Sequence, residues 1–279
     1  GESPFFYIIK LAFIIFCALL CIVLFEYMQT KDRYIKQIEV TDFLEAGQNV
    51  CLPLFEDVTI LAGDNGSGKT ILLNIIKSMN YKSAVPKELY GAFSAIKILE
   101  NGNADAYSRE LIAPNNYQYN GDYFSVGHVS SGEIIQDFKC NSLLGLGGRT
   151  EEKVFLQVLN VLFSTWDIKI ETIKSNYIRL YKKGELLSKN NLSDGQRRLL
   201  TIMLAAFSAP HSYSSLLLID TPETFLHLDI TEVVIESIQK INPSVQLLVV
   251  THSPDLISNG LFDKVIQMED ILTKTNNEA

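Results

Sequence analysis

The stretch GDNGSGKT, residues 63–70, decides the fold because its two outer glycines are separated by four residues and followed directly by lysine and threonine. The apolar run VTILA precedes it at 58–62, and ILLNII follows it at 71–76. A strand and a helix therefore flank the loop. Glycines let backbone N–H groups turn towards an anion, and the start of a helix adds partial positive charge. The stretch predicts a phosphate-binding loop.

Side chains and backbone of this loop are expected to share the binding of a nucleotide. Lys69 would reach the terminal phosphates, and the Thr70 hydroxyl would bind Mg²⁺. The rest of the predicted phosphate cradle is Gly63, Asn65, Gly66, Ser67 and Gly68. The spacing therefore predicts a site for ATP with Mg²⁺.

Three later segments carry further candidate site residues. The apolar strand LLLID ends at Asp220, where a carboxylate would be a second Mg²⁺ ligand. His252 directly follows another apolar strand, at 245–250. LSDGQ at 192–196 begins a helix with the Ser-x-x-Gln spacing of a capping box. A serine and a glycine at a helix start also predict a second anion site.

Taken in chain order, the four segments resemble the motifs of ABC-type ATPases: P-loop, signature, Walker B and switch histidine. The signature differs from the usual LSGGQ by Asp194 in its third place. The resemblance implies an α/β P-loop NTPase fold, the ABC ATPase head. It also implies a homodimer with ATP at the interface, in which His252 senses the γ-phosphate. The other subunit's contribution to that ATP would be Ser193, Gly195 and Gln196.

The finer pattern DTPETFLH, residues 220–227, is closer to the RecF, SMC and OLD-nuclease group than to transporter cassettes. That group includes short stand-alone ATPases similar to subunits of bacterial anti-phage and toxin systems. The resemblance covers residues 35 to about 265. It predicts an ATPase that controls a separate effector protein. A transporter subunit and a DNA-repair ATPase are the alternatives.

One position departs from the family pattern. A glutamate usually follows the Walker B aspartate as general base, and here Thr221 takes its place while Glu223 lies two residues further on. A threonine hydroxyl is a poor base at neutral pH. Either Thr221 has replaced the base and hydrolysis is slow, or Glu223 serves instead. Both residues and His252 are the catalytic candidates. Order alone suggests Gln136 for the Q-loop, with residues 130–133 as the alternative.

The remaining pattern divides the chain into an N-terminal segment, 1–28, and an ATPase domain, 34–279. Within the domain, 150–208 is expected to form a helical subdomain that carries the signature. Apolar spacing predicts a helix at 151–164 and a second one from Ser193 to about 208, and alternation predicts a hairpin at 178–187. Residues 101–120 are rich in Asn and Gly and are expected to form a surface loop.

Residues 5–25 form an apolar run with a single charge, Lys10. About 20 apolar residues suffice for a helix to cross a bilayer. No small-residue cleavage site follows, which argues against a signal peptide. We expect a single-pass membrane anchor, and the basic residues at 31–36 place the ATPase domain in the cytoplasm. The alternative is a cytoplasmic protein in which this run is a buried helix.

Charge and cysteine content exclude some function classes. The net charge of -8 argues against indiscriminate binding to nucleic acid. No motif of the sequence supports nucleic acid as a partner. The four cysteines have no metal-ligand spacing.

The anchor generates the first prediction. The chain of residues 1–279 should sediment with membranes and resist carbonate extraction, because burying about 20 apolar residues in lipid is strongly favourable. Deleting residues 1–28 should release a soluble protein that still binds ATP. Recovery of the undeleted chain in the soluble fraction without detergent would contradict the anchor.

Overall fold

The computed structural model describes residues 34–44, 47–80, 85–101, 107–113, 116–121, 124–135, 149–173, 177–209, 215–258 and 264–274. The predicted anchor at 5–25 and the Q-loop candidate Gln136 lie outside these residues. Within them, no helix is long and apolar enough to cross a membrane.

A five-stranded parallel sheet is the centre of the fold. The strands are β3 (Val58–Ala62), β7 (Ser125–Val129), β11 (Ser215–Asp220), β12 (Val245–Val250) and β13 (Val265–Gln267). Their order in the sheet is β13-β3-β12-β11-β7, so only β11 and β12 are neighbours both in the sheet and in the chain. Every residue of β11 and β12 is buried, as expected for strands covered on both faces.

Five helices are described, and those around the parallel sheet create two hydrophobic clusters. They are α1 (Lys69–Lys77), α2 (Arg149–Phe163), α3 (Asp194–Ser208), α4 (Leu228–Ile241) and α5 (Pro254–Ser258). Alternate residues of β11 point to opposite faces. Leu216 and Leu218 pack in the cluster that contains α1, and Leu217 and Ile219 in the cluster that contains α2, α3 and α4.

A six-stranded antiparallel sheet covers the α1 side, in the order β14-β2-β1-β4-β5-β6. Its strands are β1 (Ile35–Phe43), β2 (Gln48–Pro53), β4 (Ala95–Glu100), β5 (Tyr107–Ala113), β6 (Asn116–Asn120) and β14 (Leu272–Lys274). The prediction of a surface loop at 101–120 is therefore wrong. Tyr107, Arg109 and Tyr117 are buried, while residues 110–113 and Asn116 are exposed, as an edge hairpin allows.

The segment 150–208 is not purely helical. Between α2 and α3 the chain forms a three-stranded sheet of β8 (Ile168–Ile173), β9 (Tyr177–Lys182) and β10 (Glu185–Leu186). The β9–β10 hairpin confirms the predicted turn at Lys183-Gly184, where both residues have positive φ. The strand β8 was not predicted. Both helices, α2 and α3, were predicted. The two ends of this segment pack through Phe155 of α2 and Phe207 of α3, whose ring centroids are 4.3 Å apart.

Candidate nucleotide site

The loop between β3 and α1 has a backbone that only glycine tolerates at two key positions. Gly68 caps α1 with φ 95°, and a Cβ atom there would lie 3.0 Å from the Phe43 ring. Gly63 has φ 146°, and a Cβ atom would lie 3.0 Å from Cβ of Met268. Both contacts are tighter than most Cβ atoms make, and both φ values lie in the range that L side chains rarely adopt. The predicted strand–loop–helix arrangement is therefore present, with the loop wrapped tightly at its start and its end.

Lys69 is 3% exposed, and its ammonium group lies inside the loop. It donates hydrogen bonds to the carbonyl oxygens of Gly63 (2.8 Å) and Asp64 (2.6 Å) and to Oγ of Ser67 (2.9 Å). These three acceptors match its three donors. Burial lowers the pKa of Lys69, and the negative charges of Glu269, Asp64 and Asp220 oppose that effect. The loop thus holds a cation where phosphates are expected.

Thr70 and Asp220 lie together although 150 residues separate them in the chain. The Thr70 hydroxyl donates to Oδ2 of Asp220 at 3.1 Å. Asp220 is 2% exposed, and its Oδ1 has no hydrogen-bond partner within the described residues. Burial raises the pKa of Asp220, while the hydrogen bond from Thr70 and the charges of His252 and Arg198 lower it. A buried carboxylate oxygen without a partner, beside a hydroxyl, suits a hard cation such as Mg²⁺.

A pocket of about 240 Å³ lies over the loop and has His252 on its wall. Its other lining residues are Asn65, Gly66, Gly68, Lys69, Thr70 and Ile71. The ring of His252 is exposed, and its Nδ1 lies 3.3 Å from the Gly63 carbonyl oxygen. The structure therefore brings the predicted switch histidine to the predicted phosphate loop.

The backbone turns sharply after β11. Thr221 has φ 46°, a left-handed conformation that costs a β-branched residue about 1–3 kcal/mol. Its N–H donates to the Val250 carbonyl at 2.8 Å, which ties the turn to β12. Its hydroxyl donates to Oγ of Ser131 at 2.6 Å and accepts from Thr224 at 3.1 Å. The residue in the place of the usual glutamate is thus part of a chain of three hydroxyl groups.

Glu223 points towards the end of β12. Its Oε1 accepts from the Thr251 hydroxyl at 2.7 Å and from the His252 N–H at 3.2 Å. Its Oε2 is buried and has no hydrogen-bond partner in the part of the chain that the structure describes. The carboxylate therefore holds the backbone of His252, the predicted switch histidine, which sequence reasoning did not foresee.

The signature residues lie at the start of α3, outside the lining of the pocket. Ser193 and Gln196 form the predicted capping box, in which Gln196 N–H donates to Ser193 Oγ (3.3 Å) and Ser193 N–H donates to Gln196 Oε1 (3.0 Å). A Cβ atom on Gly195 would lie 2.6 Å from the carbonyl oxygen of Phe225. Gly195 is therefore required for packing, and the side chain of Gln196 is occupied within its own helix.

Arg198 is the site residue that sequence reasoning missed. It is fully buried in α3, and its guanidinium donates to four backbone carbonyls of two other segments. Nη1 bonds Ser130 (2.7 Å) and Glu133 (2.9 Å), and Nη2 bonds Asp220 (2.8 Å) and Thr221 (3.3 Å). The sequence shows Arg197 and Arg198 directly after the signature pattern, but nothing in it indicates which carbonyl oxygens Arg198 binds.

The comparison with protein families finds one match, described as "AAA domain, putative AbiEii toxin, Type IV TA system", over residues 128–258. This range runs from the end of β7 through the signature helix and Asp220 to the end of α5, and the P-loop precedes it. No curated protein matches the chain.

Solved structures of SMC heads have the same fold. The SMC head domain from Thermotoga maritima has 17% identity and a TM-score of 0.54, covering 84% of this chain and 94% of its own. An Smc head bound to the C-terminal winged-helix domain of ScpA has 16% identity and a TM-score of 0.62, with coverage of 84% and 94%. A head with an extended coiled coil, bound to the C-terminal domain of ScpA derived from Pyrococcus furiosus, has 12% identity, a TM-score of 0.56 and coverage of 84% and 93%.

By fold, this chain is an α/β P-loop NTPase of the kind seen in SMC heads, and its motifs resemble those of ABC-type ATPases.

The structure gathers most, but not all, of the predicted site residues around one loop. The P-loop residues, Asp220, Thr221, Glu223 and His252 follow the carboxyl ends of adjacent parallel strands, where α/β folds place their sites. The signature residues belong to a separate surface. The turn at 130–133 after β7, one of the two Q-loop candidates, lies beside Asp220 and Thr221, while the other candidate, Gln136, is outside the described residues.

Replacing Lys69 tests the predicted ATP site. Lys69→Ala should weaken ATP binding by about 10- to 100-fold, because hydrogen bonds from a charged group contribute strongly to affinity. Titration with a fluorescent ATP analogue measures this. Lys77→Ala, at the other end of α1, is the matched control and should bind like the parent. Equal affinity in Lys69→Ala and the parent would rule out the loop as the phosphate site.

Proposed function

We propose that this chain is an ATP-dependent switch that binds ATP with Mg²⁺, closes into a homodimer and controls a separate effector protein. The observation that carries the proposal is the bond between Thr70 and Asp220, with the free buried Oδ1 of Asp220 beside the loop that holds Lys69. These groups have no other evident purpose together, because a buried carboxylate is costly unless it is paired or binds a metal.

The donors present fit the substrate and the metal. Lys69 and the N-terminus of α1 would bind the phosphates, and Thr70 and Asp220 would hold Mg²⁺. The metal would neutralise charge on the phosphates when bound. His252 would read the terminal phosphate from the wall of the pocket, with Glu223 fixing its backbone.

A second copy of the chain completes the site in this proposal. The start of α3 is a helix N-terminus, where backbone N–H groups and the positive end of the helix dipole favour an anion. Ser193 and Gly195 are not among the residues that line the pocket of their own subunit. ATP held by Lys69 of one subunit would therefore meet Ser193 and Gly195 of the other. The contribution of Gln196 is then indirect, through the helix cap.

Hydrolysis is proposed to be slow. Thr221 has no carboxylate to offer, and Oε1 of Glu223 is already occupied by Thr251 and His252. Oε2 of the same carboxylate has no partner within the described residues but is buried, and Glu223 is not among the residues that line the pocket over the P-loop. Loss of a positioned base costs about 10²–10⁴-fold in rate. Slow turnover would give a long-lived closed dimer, which suits a switch that an effector reads.

The effector and the location are inferred from different observations. The family description names a toxin of a toxin–antitoxin system, and two similar SMC heads are bound to a domain of ScpA. Both favour an ATPase that acts through a partner, with phage defence as one setting. The apolar run at 5–25 would tether the switch to the membrane with its ATPase domain in the cytoplasm.

Blocking the signature should separate ATP binding from dimerisation. Ser193→Arg puts a bulky side chain at the start of α3 and should leave ATP binding to the monomer nearly unchanged while preventing closure. Light scattering with and without ATP measures this. Ser193→Asn, which also caps helices well, controls for loss of the cap. ATP-driven dimerisation of Ser193→Arg to the parent's extent would contradict the proposed interface.

The turn after Asp220 generates a prediction about rate. Thr221→Glu should raise the rate of phosphate release, because it restores a carboxylate where the related ATPases have one. Glu223→Gln should have little effect, because the amide oxygen can still accept from Thr251 and His252. Loss of turnover in Glu223→Gln, with no gain in Thr221→Glu, would identify Glu223 as the base instead. A phosphate-release assay on both variants distinguishes the two outcomes.

A further inference from the structure

The turn after β7 places a serine hydroxyl beside Thr221, the residue in the place of the missing base. β7 and β11 pair in parallel, with Val129 opposite Ile219, so the residues that follow both strands leave the sheet side by side. Ser131 is exposed at this edge, and its Oγ lies 2.6 Å from that of Thr221. Thr70 and Asp220, the proposed Mg²⁺ ligands, are the next groups along the same edge.

Backbone and side-chain bonds hold this turn rigidly. Glu133 closes it, because its Oε2 accepts from Ser130 N–H (2.9 Å) and Ser130 Oγ (2.8 Å), and its own N–H donates to the Ser130 carbonyl (3.1 Å). Gly132 supplies the positive φ, 69°, that the turn needs. Arg198 then binds carbonyls on both sides, at Ser130 and at Thr221. The contact between Ser131 and Thr221 is therefore built into the fold.

The hydroxyl groups of Thr224, Thr221 and Ser131 form a hydrogen-bonded chain, and the exposed Ser131 is at its end. Thr224 donates to Thr221, and Thr221 donates to Ser131. Such groups cannot remove a proton from water at neutral pH, but they can orient it by accepting and donating hydrogen bonds. Phosphoryl transfer depends chiefly on positioning and on charge stabilisation rather than on a strong base. A fixed hydroxyl can therefore support hydrolysis where a carboxylate is missing.

We propose that Ser131 is a positioning residue for ATP hydrolysis, fixing the Thr221 hydroxyl so that it orients the attacking water. The water oxygen bonds to the γ-phosphorus, the bond from that phosphorus to the β–γ bridging oxygen breaks, and ADP leaves. The proton of the water goes to the transferred phosphate, so the hydroxyl groups end the step unchanged. This role rests on the proposed function, because it requires ATP at the P-loop.

Single-turnover hydrolysis and ATP affinity test the role together. Ser131→Ala should lower the hydrolysis rate constant by about 10- to 100-fold, as expected for a misplaced reactant, with the dissociation constant for ATP unchanged. Ser131→Thr keeps the hydroxyl and should restore most of the rate. Ser164→Ala removes another exposed serine hydroxyl, beyond α2, and should match the parent. In a Thr221→Val background, Ser131→Ala should cause no further loss.

Unfolding of the nucleotide-free protein in urea provides a readout that is independent of activity. Ser131→Ala and Thr221→Val remove the two ends of one hydrogen bond, so the midpoint of the double variant should be no lower than that of Thr221→Val. Additive midpoint shifts, or a parental rate in Ser131→Ala, would overturn the role of Ser131. A parent that binds ATP and dimerises without measurable hydrolysis would also overturn it, leaving the switch intact. A parent that does not bind ATP would refute the proposed function first.

Discussion

The buried guanidinium of Arg198 connects the signature helix with the segments at the ends of β7 and β11. It lies in the signature helix and binds carbonyls at Ser130 and Glu133 after β7 and at Asp220 and Thr221 after β11. Carbonyl oxygens at strand ends have no partners in the sheet, and burying them unpaired is costly. One side chain meets this need for both strands. Any displacement of the signature helix therefore changes the surroundings of Asp220, the proposed Mg²⁺ ligand, and of Thr221 beside it.

This arrangement explains why the site tolerates a strained threonine. The φ of 46° at Thr221 is held by its own N–H bond to Val250 and by the Arg198 bond to its carbonyl oxygen. Strain of this kind persists where surrounding contacts over-determine the backbone, commonly at functional sites. The same backbone turn directs the Thr221 hydroxyl to Ser131 and leaves Glu223 to support His252. Residues adjacent in sequence thus acquire separate tasks.

Sequence reasoning predicted the parts of the fold that depend on local pattern. The P-loop geometry, the capped signature helix and the buried strands β11 and β12 follow from glycine spacing, cap chemistry and apolar runs, which act within a few residues. The edge strand β6 was missed because its outward residues are polar, so its composition is that of a loop.

Long-range contacts in the site were beyond local pattern. Ser131 meets Thr221 across 90 residues because β7 pairs with β11, and neither motif encodes that pairing. The sequence identified Glu223 and Thr221 as alternatives for one role. Only the direction of the chain after Asp220 shows that their side chains face different partners. Gln136 was chosen on order alone and lies outside the described residues, so that choice stays a prediction, while the turn at 130–133 is bound to the signature helix through Arg198.

The three hydrogen bonds of the Lys69 ammonium within its own loop have a consequence for the resting protein. A cation whose donors are all satisfied internally keeps the loop in shape when nothing is bound, so the cradle does not have to be assembled by its ligand. When an anion binds, its oxygens replace the loop's own acceptors of the Lys69 hydrogen bonds, and the loop does not have to become ordered. The local order of this segment then depends little on the anion, so its exposure to proteases should change little when the anion binds.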